Sequence, residues 1–494
     1  MPAHLLAIDQ GTTGSTALVV SLEGKTLGRS TVEFPQHFPR PGWVEHDSRE
    51  IWQSVEASVR GALASAKLDP SELAAIGITN QRETTLLWDR ATGEAIANAI
   101  VWQCRRTADV CDALKKAGHA PKVHEKTGLV LDAYFSGTKI AWLLDNVPGA
   151  RDRASRGELA FGTIDTFLVH TLTGGAVHVT DVTNASRTLC MNLARAEWDP
   201  EMCELFRVPK SVLPRIAGSA EEVGRTKGVG FLPDGIPITG IAGDQQAALF
   251  GQACFDEGDA KCTYGTGAFA LMNIGDRPTL SSNGLITTVA WRVAGKTTYA
   301  LEGSSFIAGA AVQWLRDGLG LIKSAAEIEA LARTVDSSET VAFVPALAGL
   351  GAPYWDQGAR GLISGITRGT KSGHLARATL EGIAFQVNDL LRAMTIDAKR
   401  PIRRLRVDGG AAANDLLMQF QTDIAQVPID RPAELESTGR GAAMLAGVGA
   451  GLCSPDAARK MLHITKTFEP TMTAADRAKH ASKWEDAVKR SRTS

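Results

Sequence analysis

Two stretches of this chain echo one another. Leu5-Leu-Ala-Ile-Asp9 is an apolar run that ends in an acid; the turn Gln10-Gly-Thr-Thr-Gly-Ser15 follows, then the apolar run Ala17-Leu-Val-Val20. Far downstream, Ala260-Lys-Cys-Thr-Tyr264 leads through Gly265-Thr-Gly267 into Phe269-Ala-Leu-Met272. Both read as strand, Gly/Thr turn, strand, which is hairpin chemistry. One copy lies near the start and the other just past the midpoint. That placement predicts two related lobes facing each other across a cleft, residues 1–252 and 253–494. A chain of 494 residues also exceeds one ordinary core.

Between the hairpins, strand-like and helical runs alternate, the pattern of α/β lobes. Leu73–Thr79 and Thr84–Trp88 read as strands; Ser48–Ala66 and Ser136–Asp145 read as helices. In the second half, Leu375–Met394 is a long helical pattern, Leu405–Asp408 a short strand and Asn414–Ala425 another helix.

The candidate chemistry sits at the ends of these runs. Gly235-Ile-Pro-Ile-Thr-Gly-Ile-Ala242 reads as a buried strand, Gly243 permits a turn, and Asp244 opens a helix with Gln245 beside it. A carboxylate there is read as isolated; it sees the positive end of the helix dipole, which favours its ionised form. The plain alternative is a helix cap. The Gly/Thr turns, with Thr12, Thr13 and Gly14 in the first and Thr266 in the second, suit phosphate, because small residues bring backbone N–H groups close to an anion. Asp9, just before the first turn, is a candidate Mg²⁺ ligand, since Mg²⁺ takes one or two carboxylates plus phosphate oxygens. In Val407-Asp-Gly-Gly-Ala-Ala-Ala-Asn414, two glycines precede a helix whose free N–H groups would suit a phosphate or a ribose. Asn80-Gln-Arg-Glu83 pairs fixed donors on Arg82 with acceptors on Glu83, a set that can grip neighbouring hydroxyls. Tyr134 offers a further hydroxyl contact, and Trp102 and Phe269 an apolar wall.

Other classes are excluded by what is absent from the sequence. The 53 basic and 54 acidic residues nearly cancel, so no broad field points to nucleic acid or an anionic membrane. Seven scattered cysteines form no Cys-x-x-Cys pair, which predicts neither disulfides nor zinc and fits a reducing cytosol. Met1 leads into a strand by Leu5 without a signal-peptide pattern, and no apolar run reaches the length of a membrane span. A cytoplasmic protein is expected. No Gly-x-x-x-x-Gly-Lys-Ser/Thr loop exists; Gly365-Ile-Thr-Arg-Gly-Thr-Lys-Ser372 has Thr370 where the second glycine belongs.

Several longer motifs resemble the FGGY family of carbohydrate kinases, in particular its glycerol-phosphorylating branch. They include Asp9-Gln-Gly-Thr-Thr13, Pro41-Gly-Trp-Val-Glu-His46, Gly77-Ile-Thr-Asn-Gln-Arg-Glu-Thr-Thr85, Asn98–Arg106 and Thr180–Arg187. Gly243-Asp-Gln-Gln-Ala-Ala-Leu-Phe-Gly251, Tyr264-Gly-Thr-Gly267, Gly349–Asp356 and Val407-Asp-Gly-Gly410 continue the series in order. The resemblance implies an actin-like, ribonuclease-H-like α/β fold of two lobes with an interlobe cleft, and ATP, Mg²⁺, glycerol and the product sn-glycerol 3-phosphate. It implies that Arg82, Glu83, Tyr134, Asp244 and Gln245 contact the triol, with Trp102 and Phe269 on its apolar side and Asp244 as the base. It assigns Thr12, Thr266, Gly309, Gln313, Gly410 and Asn414 to the nucleotide and Asp9 to the metal, and it suggests a homo-oligomer. The chain departs from the family at Gly14-Ser15-Thr16, where an arginine is usual after the first turn. The loop Thr226–Gly235 also lacks the family's sugar-bisphosphate loop and regulatory histidine, so neither form of regulation is expected. The competing readings are a kinase of a pentulose or tetritol and an ATP-driven clamp of the actin or chaperone type; the clamp would need neither Asp244 nor the Arg82–Glu83 pair.

Overall fold

The computed structural model describes residues 4–493, so Met1, with which the N-terminal reading began, lies outside the described residues. Both hairpins form. The strands His4–Gln10 and Gly14–Ser21 pair antiparallel, with Asp9 opposite Thr16, and Asp259–Tyr264 pairs antiparallel with Ala268–Gly275.

The echo extends well beyond the turns. In the first half, the strands Thr26–Glu33, Gly14–Ser21, His4–Gln10, Leu73–Asn80 and Pro237–Gly243 lie side by side in that order. The first two pairings are antiparallel and the last two parallel. In the second half, Lys296–Ser305, Ala268–Gly275, Asp259–Tyr264, Arg404–Asp408 and Ile429–Pro432 repeat the order and the sense of every pairing. The halves are two copies of one α/β unit. Their sheets join edge to edge through the Ala220–Val293 bridge, so the strands form one continuous thirteen-stranded sheet.

The helices follow from apolar spacing. Ser48–Ala66 buries Ile51, Val55, Val59 and Ala62, one face at steps of three to four residues, against the strands Gly14–Ser21 and Thr26–Glu33. Asp47 caps its start by accepting from Arg49 N at 2.8 Å. Its counterpart in the second half is the long helix Ser372–Ala398.

One helix crosses the boundary expected from sequence. Ser437–Gly449 lies against the strands Leu73–Asn80 and Pro237–Gly243 and the helix Asp244–Gly251. Its Ala442, Ala443, Leu445 and Ala446 share an apolar cluster with Leu5, Ala75, Ala247 and Leu249. A Cβ on Gly441 would stand 1.8 Å from the carbonyl oxygen of Ala247, so this crossing requires glycine. The second half thus completes the core of the first, around the helix that Asp244 opens.

Candidate functional site

Strand Pro237–Gly243 ends where helix Asp244–Gly251 begins, as the sequence predicts, with Asp244 the first residue of the helix. Gly243 occupies the cap position without a side-chain cap, and Asp244, the first helical residue, accepts from Gln245 N through Oδ1 at 2.6 Å, so it also serves a first-turn N–H as the plain alternative holds. Asp244 is not the isolated carboxylate read from the sequence. Arg82 Nε lies 3.1 Å from its Oδ1, and the Asp244 side chain remains one-third exposed (34 %) while that of Arg82 is buried. A Cβ at Gly243 would lie 2.6 Å from Arg82 Cγ; only glycine lets the arginine pass beneath the seam.

Arg82 and Glu83 are also not a pair standing alone, as read from the sequence. Both are buried in an ion network that the sequence did not reveal. Arg82 donates through Nη1 and Nη2 to the two Glu302 carboxylate oxygens at 2.6 and 2.9 Å. Arg187 donates to Glu83 Oε1 at 2.6 Å and to Glu302 Oε1 at 3.1 Å. Burial alone would raise the Glu302 carboxyl, but the Arg187 and Arg82 guanidiniums outweigh it and hold the group well below its ordinary value. Burial lifts the Glu83 carboxyl above its ordinary value, against the pull of the same two arginines. The pairs are separated by about a hundred residues or more in sequence, and no local pattern marks them.

Glu83 has φ +62°, a left-handed conformation unusual for a residue with a side chain. Its carbonyl is fixed by three donors: Thr85 Oγ1 at 2.9 Å, Ser136 Oγ at 3.0 Å and Lys139 Nζ at 3.3 Å. Lys139 is fully buried and also donates to the Tyr134 carbonyl at 2.7 Å; burial pushes its ammonium down to about 7. This scaffold sets the Tyr134 hydroxyl 3.5 Å from Arg82 Nη2. The other half of the Asn80–Glu83 reading needs correction. Asn80 exchanges amide hydrogen bonds with Asn184 at 3.1 and 3.0 Å, and Gln81 donates to Gln10 Oε1 at 2.9 Å. Both are buried and hold the walls of the site, not its contents.

Trp102 packs edge-on to Tyr134, as an apolar wall would, and its indole N–H also donates to Thr12 Oγ1 at 2.9 Å. The tryptophan therefore ties the hydroxyl side of the site to the first hairpin. Phe269 is half-buried on the strand leaving the second hairpin, opposite Thr263.

The hairpins are suited to anions. Among the described residues, the backbone N–H groups of Thr12, Thr13 and Thr266 donate to no protein acceptor. Thr13 and Thr266 are exposed, and Gly14 sits against the backbone of Val32. Beside the second turn, helix Gly309–Asp317 starts with its N–H groups already used: Ala308 and Ala310 donate to the Thr266 carbonyl and Gly309 to that of Gly265. Gly309 and Gln313, one helical turn apart, share a face, and Gln313 is exposed. The glycine pair Gly409-Gly410 does not open a helix directly. Gly410–Ala413 is a 3₁₀ turn, and Asn414 caps helix Asp415–Ala425 by accepting from Leu417 N at 2.8 Å. The helix N-terminus is thus closed by a side chain, while Gly410 itself faces open space.

Asp9, half-buried, stands at the end of the first strand. Burial, then the facing Asp244 and Glu436 carboxylates, raise its carboxyl to about 8, with Arg29 opposing. Among the described residues no three His, Cys, Asp or Glu side chains gather as a closed metal site. A carboxylate whose charge is disfavoured, facing a second acid, fits a cation that takes its remaining ligands from phosphate and water. All seven cysteines are free, and no described helix is long and apolar enough to cross a membrane.

The duplicated unit, the paired Gly/Thr turns and the acid at the seam define a phosphate-handling α/β architecture of two halves. Comparison with known proteins specifies it further. Residues 4–251 match the N-terminal domain, and residues 260–450 the C-terminal domain, of the FGGY family of carbohydrate kinases. The chain belongs to that family. It is 58 % identical over 490 residues to a glycerol kinase of Myxococcus xanthus, covering 99 % of both, and 57 % identical over 490 residues to one of Deinococcus radiodurans, covering 99 % of this chain and 97 % of the relative. Its structure resembles the crystal structure of Plasmodium falciparum glycerol kinase with ADP, with a TM-score of 0.93 at 38 % identity over 99 % of this chain and 98 % of that one. A gluconate kinase from Lactobacillus acidophilus, at 23 % identity and a TM-score of 0.86 over 98 % and 97 % of the two chains, shares the fold.

Proposed function

We propose that the chain transfers the terminal phosphoryl group of ATP to glycerol, giving sn-glycerol 3-phosphate and ADP. The observation that carries this reading is the placement of Asp244. It is the partly exposed member of an otherwise buried charge network, at a seam between the Tyr134–Trp102 wall and two turns with free N–H groups. The close similarity to glycerol kinases supports glycerol as the acceptor.

The residues divide the work. Thr12, Thr13, Gly14 and Thr266 receive the phosphates, and Gly309, Gln313, Gly410 and Asn414 line the nucleoside side. Arg82, Glu83, Tyr134, Gln245 and Asp244 hold the triol hydroxyls, with Trp102 and Phe269 against its carbons. Asp9 is the residue that would hold Mg²⁺, which when bound neutralises phosphate charge. The bond between the γ-phosphorus and its bridging oxygen breaks, and the electron pair leaves on ADP. A bond forms between phosphorus and a primary oxygen of glycerol, whose proton passes to Asp244 and then to solvent. Proton transfer comes late, when the attacking oxygen has become acidic, so a carboxylate suffices as acceptor. Positioning and charge neutralisation carry the rate.

ADP release measured across glycerol, dihydroxyacetone, erythritol and xylulose tests the proposal. Glycerol is expected to be strongly preferred, and Asp244→Asn to cut turnover roughly a hundredfold or more while ADP still binds. Equal use of all four acceptors would refute glycerol specificity, and near-normal turnover in the variant would remove Asp244 from its role.

A further inference from the structure

We propose that the ammonium group of Lys261 is a catalytic cation: it meets the phosphoryl group as that group passes from the nucleotide to the triol. This rests on the kinase reading above. Lys261 lies on strand Asp259–Tyr264, two residues before Thr263 and on the same face. Its side chain is fully buried and runs along the strand toward the second turn. Nζ donates to Thr263 Oγ1 at 2.9 Å and to Gln245 Oε1. The ammonium therefore bridges the strand that enters the second Gly/Thr turn and the residue adjoining Asp244.

The charge is unpaired. Among the described residues no carboxylate oxygen lies within 4.0 Å of Lys261 Nζ, and only two of its three donors are used. The acids it senses, Asp408, Asp244 and Glu302, are engaged elsewhere. Glu302 is held by Arg82 and Arg187, Asp244 by Arg82, and Asp408 by Gln252 and Ser437. A buried ammonium with a free donor is disfavoured in the protein alone and favoured once an anion meets it. The first turn brings no cation to the same place: Thr16 follows it, and its hydroxyl is bonded to Thr31 Oγ1 at 2.9 Å. The two turns supply N–H groups and hydroxyls, and Lys261 supplies the positive charge. During transfer, negative charge spreads over the three oxygens of the moving group. Lys261 exchanges no proton in this step; it stabilises that charge from a fixed position.

The simpler role is a positioning one, in which Lys261 only orients Gln245 toward the triol. Wild type, Lys261→Met, Lys261→Arg and Gln245→Ala are compared by turnover, by glycerol and ADP affinity, and by the tightening of ADP binding when aluminium fluoride is added with glycerol. Aluminium fluoride there stands in for the moving phosphoryl group. Lys261→Met is expected to lose about a hundredfold in turnover and to lose the tightening, while ADP alone and glycerol bind within a few fold. Lys261→Arg recovers part of both, and Gln245→Ala, which keeps the ammonium, is expected to weaken glycerol binding yet keep the tightening once glycerol saturates that variant, which tests the proposal even if Lys261→Met does not fold. The proposal is overturned if Lys261→Met retains the tightening, if it loses glycerol affinity in step with turnover, or if Gln245→Ala saturated with glycerol loses the tightening. Failure of the kinase reading is a separate result: wild type would then release no ADP in response to glycerol.

Discussion

Asp9, at the end of a strand, and Asp244, at the start of a helix, lie near enough to influence one another, and their environments differ. Asp244 has Arg82 at 3.1 Å, whereas Asp9 has burial and two facing acids against it. The consequence of the second arrangement depends on pH. The folded carboxyl of Asp9 is raised from 3.8 to about 8, so between those values the folded chain holds a proton there that the unfolded chain has lost. Without a cation, the Asp9 contribution to stability therefore falls as pH rises from about 4 to about 8. A divalent cation held there with the nucleotide would favour the ionised form and expel that proton. At pH 7, Mg²⁺-ADP binding is expected to release about one proton per chain, read by calorimetry in buffers of different ionisation enthalpy. Asp9→Asn is expected to abolish the release; an unchanged release in the variant would place the cation elsewhere.

At the scale of elements, the site is set by a crossing of two helices. Asp244–Gly251 carries the acid at its first residue, and Ser437–Gly449 of the other half lies across it at Gly441. Gly441→Ala is expected to lower stability by about 1–3 kcal/mol or more, read as a shift in denaturant midpoint, because a Cβ 1.8 Å from the Ala247 carbonyl cannot be accommodated without displacing backbone. An unchanged midpoint would show that the crossing has slack. Sequence reading did well on elements whose signal is local. Helix Ser48–Ala66 and the hairpins were legible because apolar spacing and Gly/Thr turns specify them over a few residues. The start of helix Asp244–Gly251 was legible for the same reason. The helix read as Asn414–Ala425 is observed from Asp415, and only the free N–H groups expected after the glycine pair were misread, because the Asn414 side chain caps that start. Arg187, Glu302, Lys139 and Lys261 were missed because long-range ion pairs and buried ammonium groups leave no periodicity in sequence. Arg82 and Glu83 were noticed for the right chemistry, and their burial could not be read from neighbours.

At the scale of the molecule, the duplicated five-strand unit explains why two Gly/Thr turns exist. The echo was visible in sequence; the continuity of the sheet was not, because it depends on the Ala220–Val293 bridge. Further contacts join the halves near the first hairpin: Arg29 pairs with Glu436 at 2.8 Å, and Thr26 donates to Glu434 at 2.7 Å. Two halves joined at a sheet edge, a helix crossing and these ion pairs can hold a nucleotide on the turns while an acid from the first half meets the acceptor. A crystal structure with glycerol and an unreactive ATP analogue tests this arrangement most directly. The account predicts a primary hydroxyl of glycerol within about 2.6–3.2 Å of an Asp244 carboxylate oxygen and on the side facing the terminal phosphate. A glycerol whose hydroxyls all lie beyond hydrogen-bond reach of Asp244, with the terminal phosphate elsewhere, would contradict it.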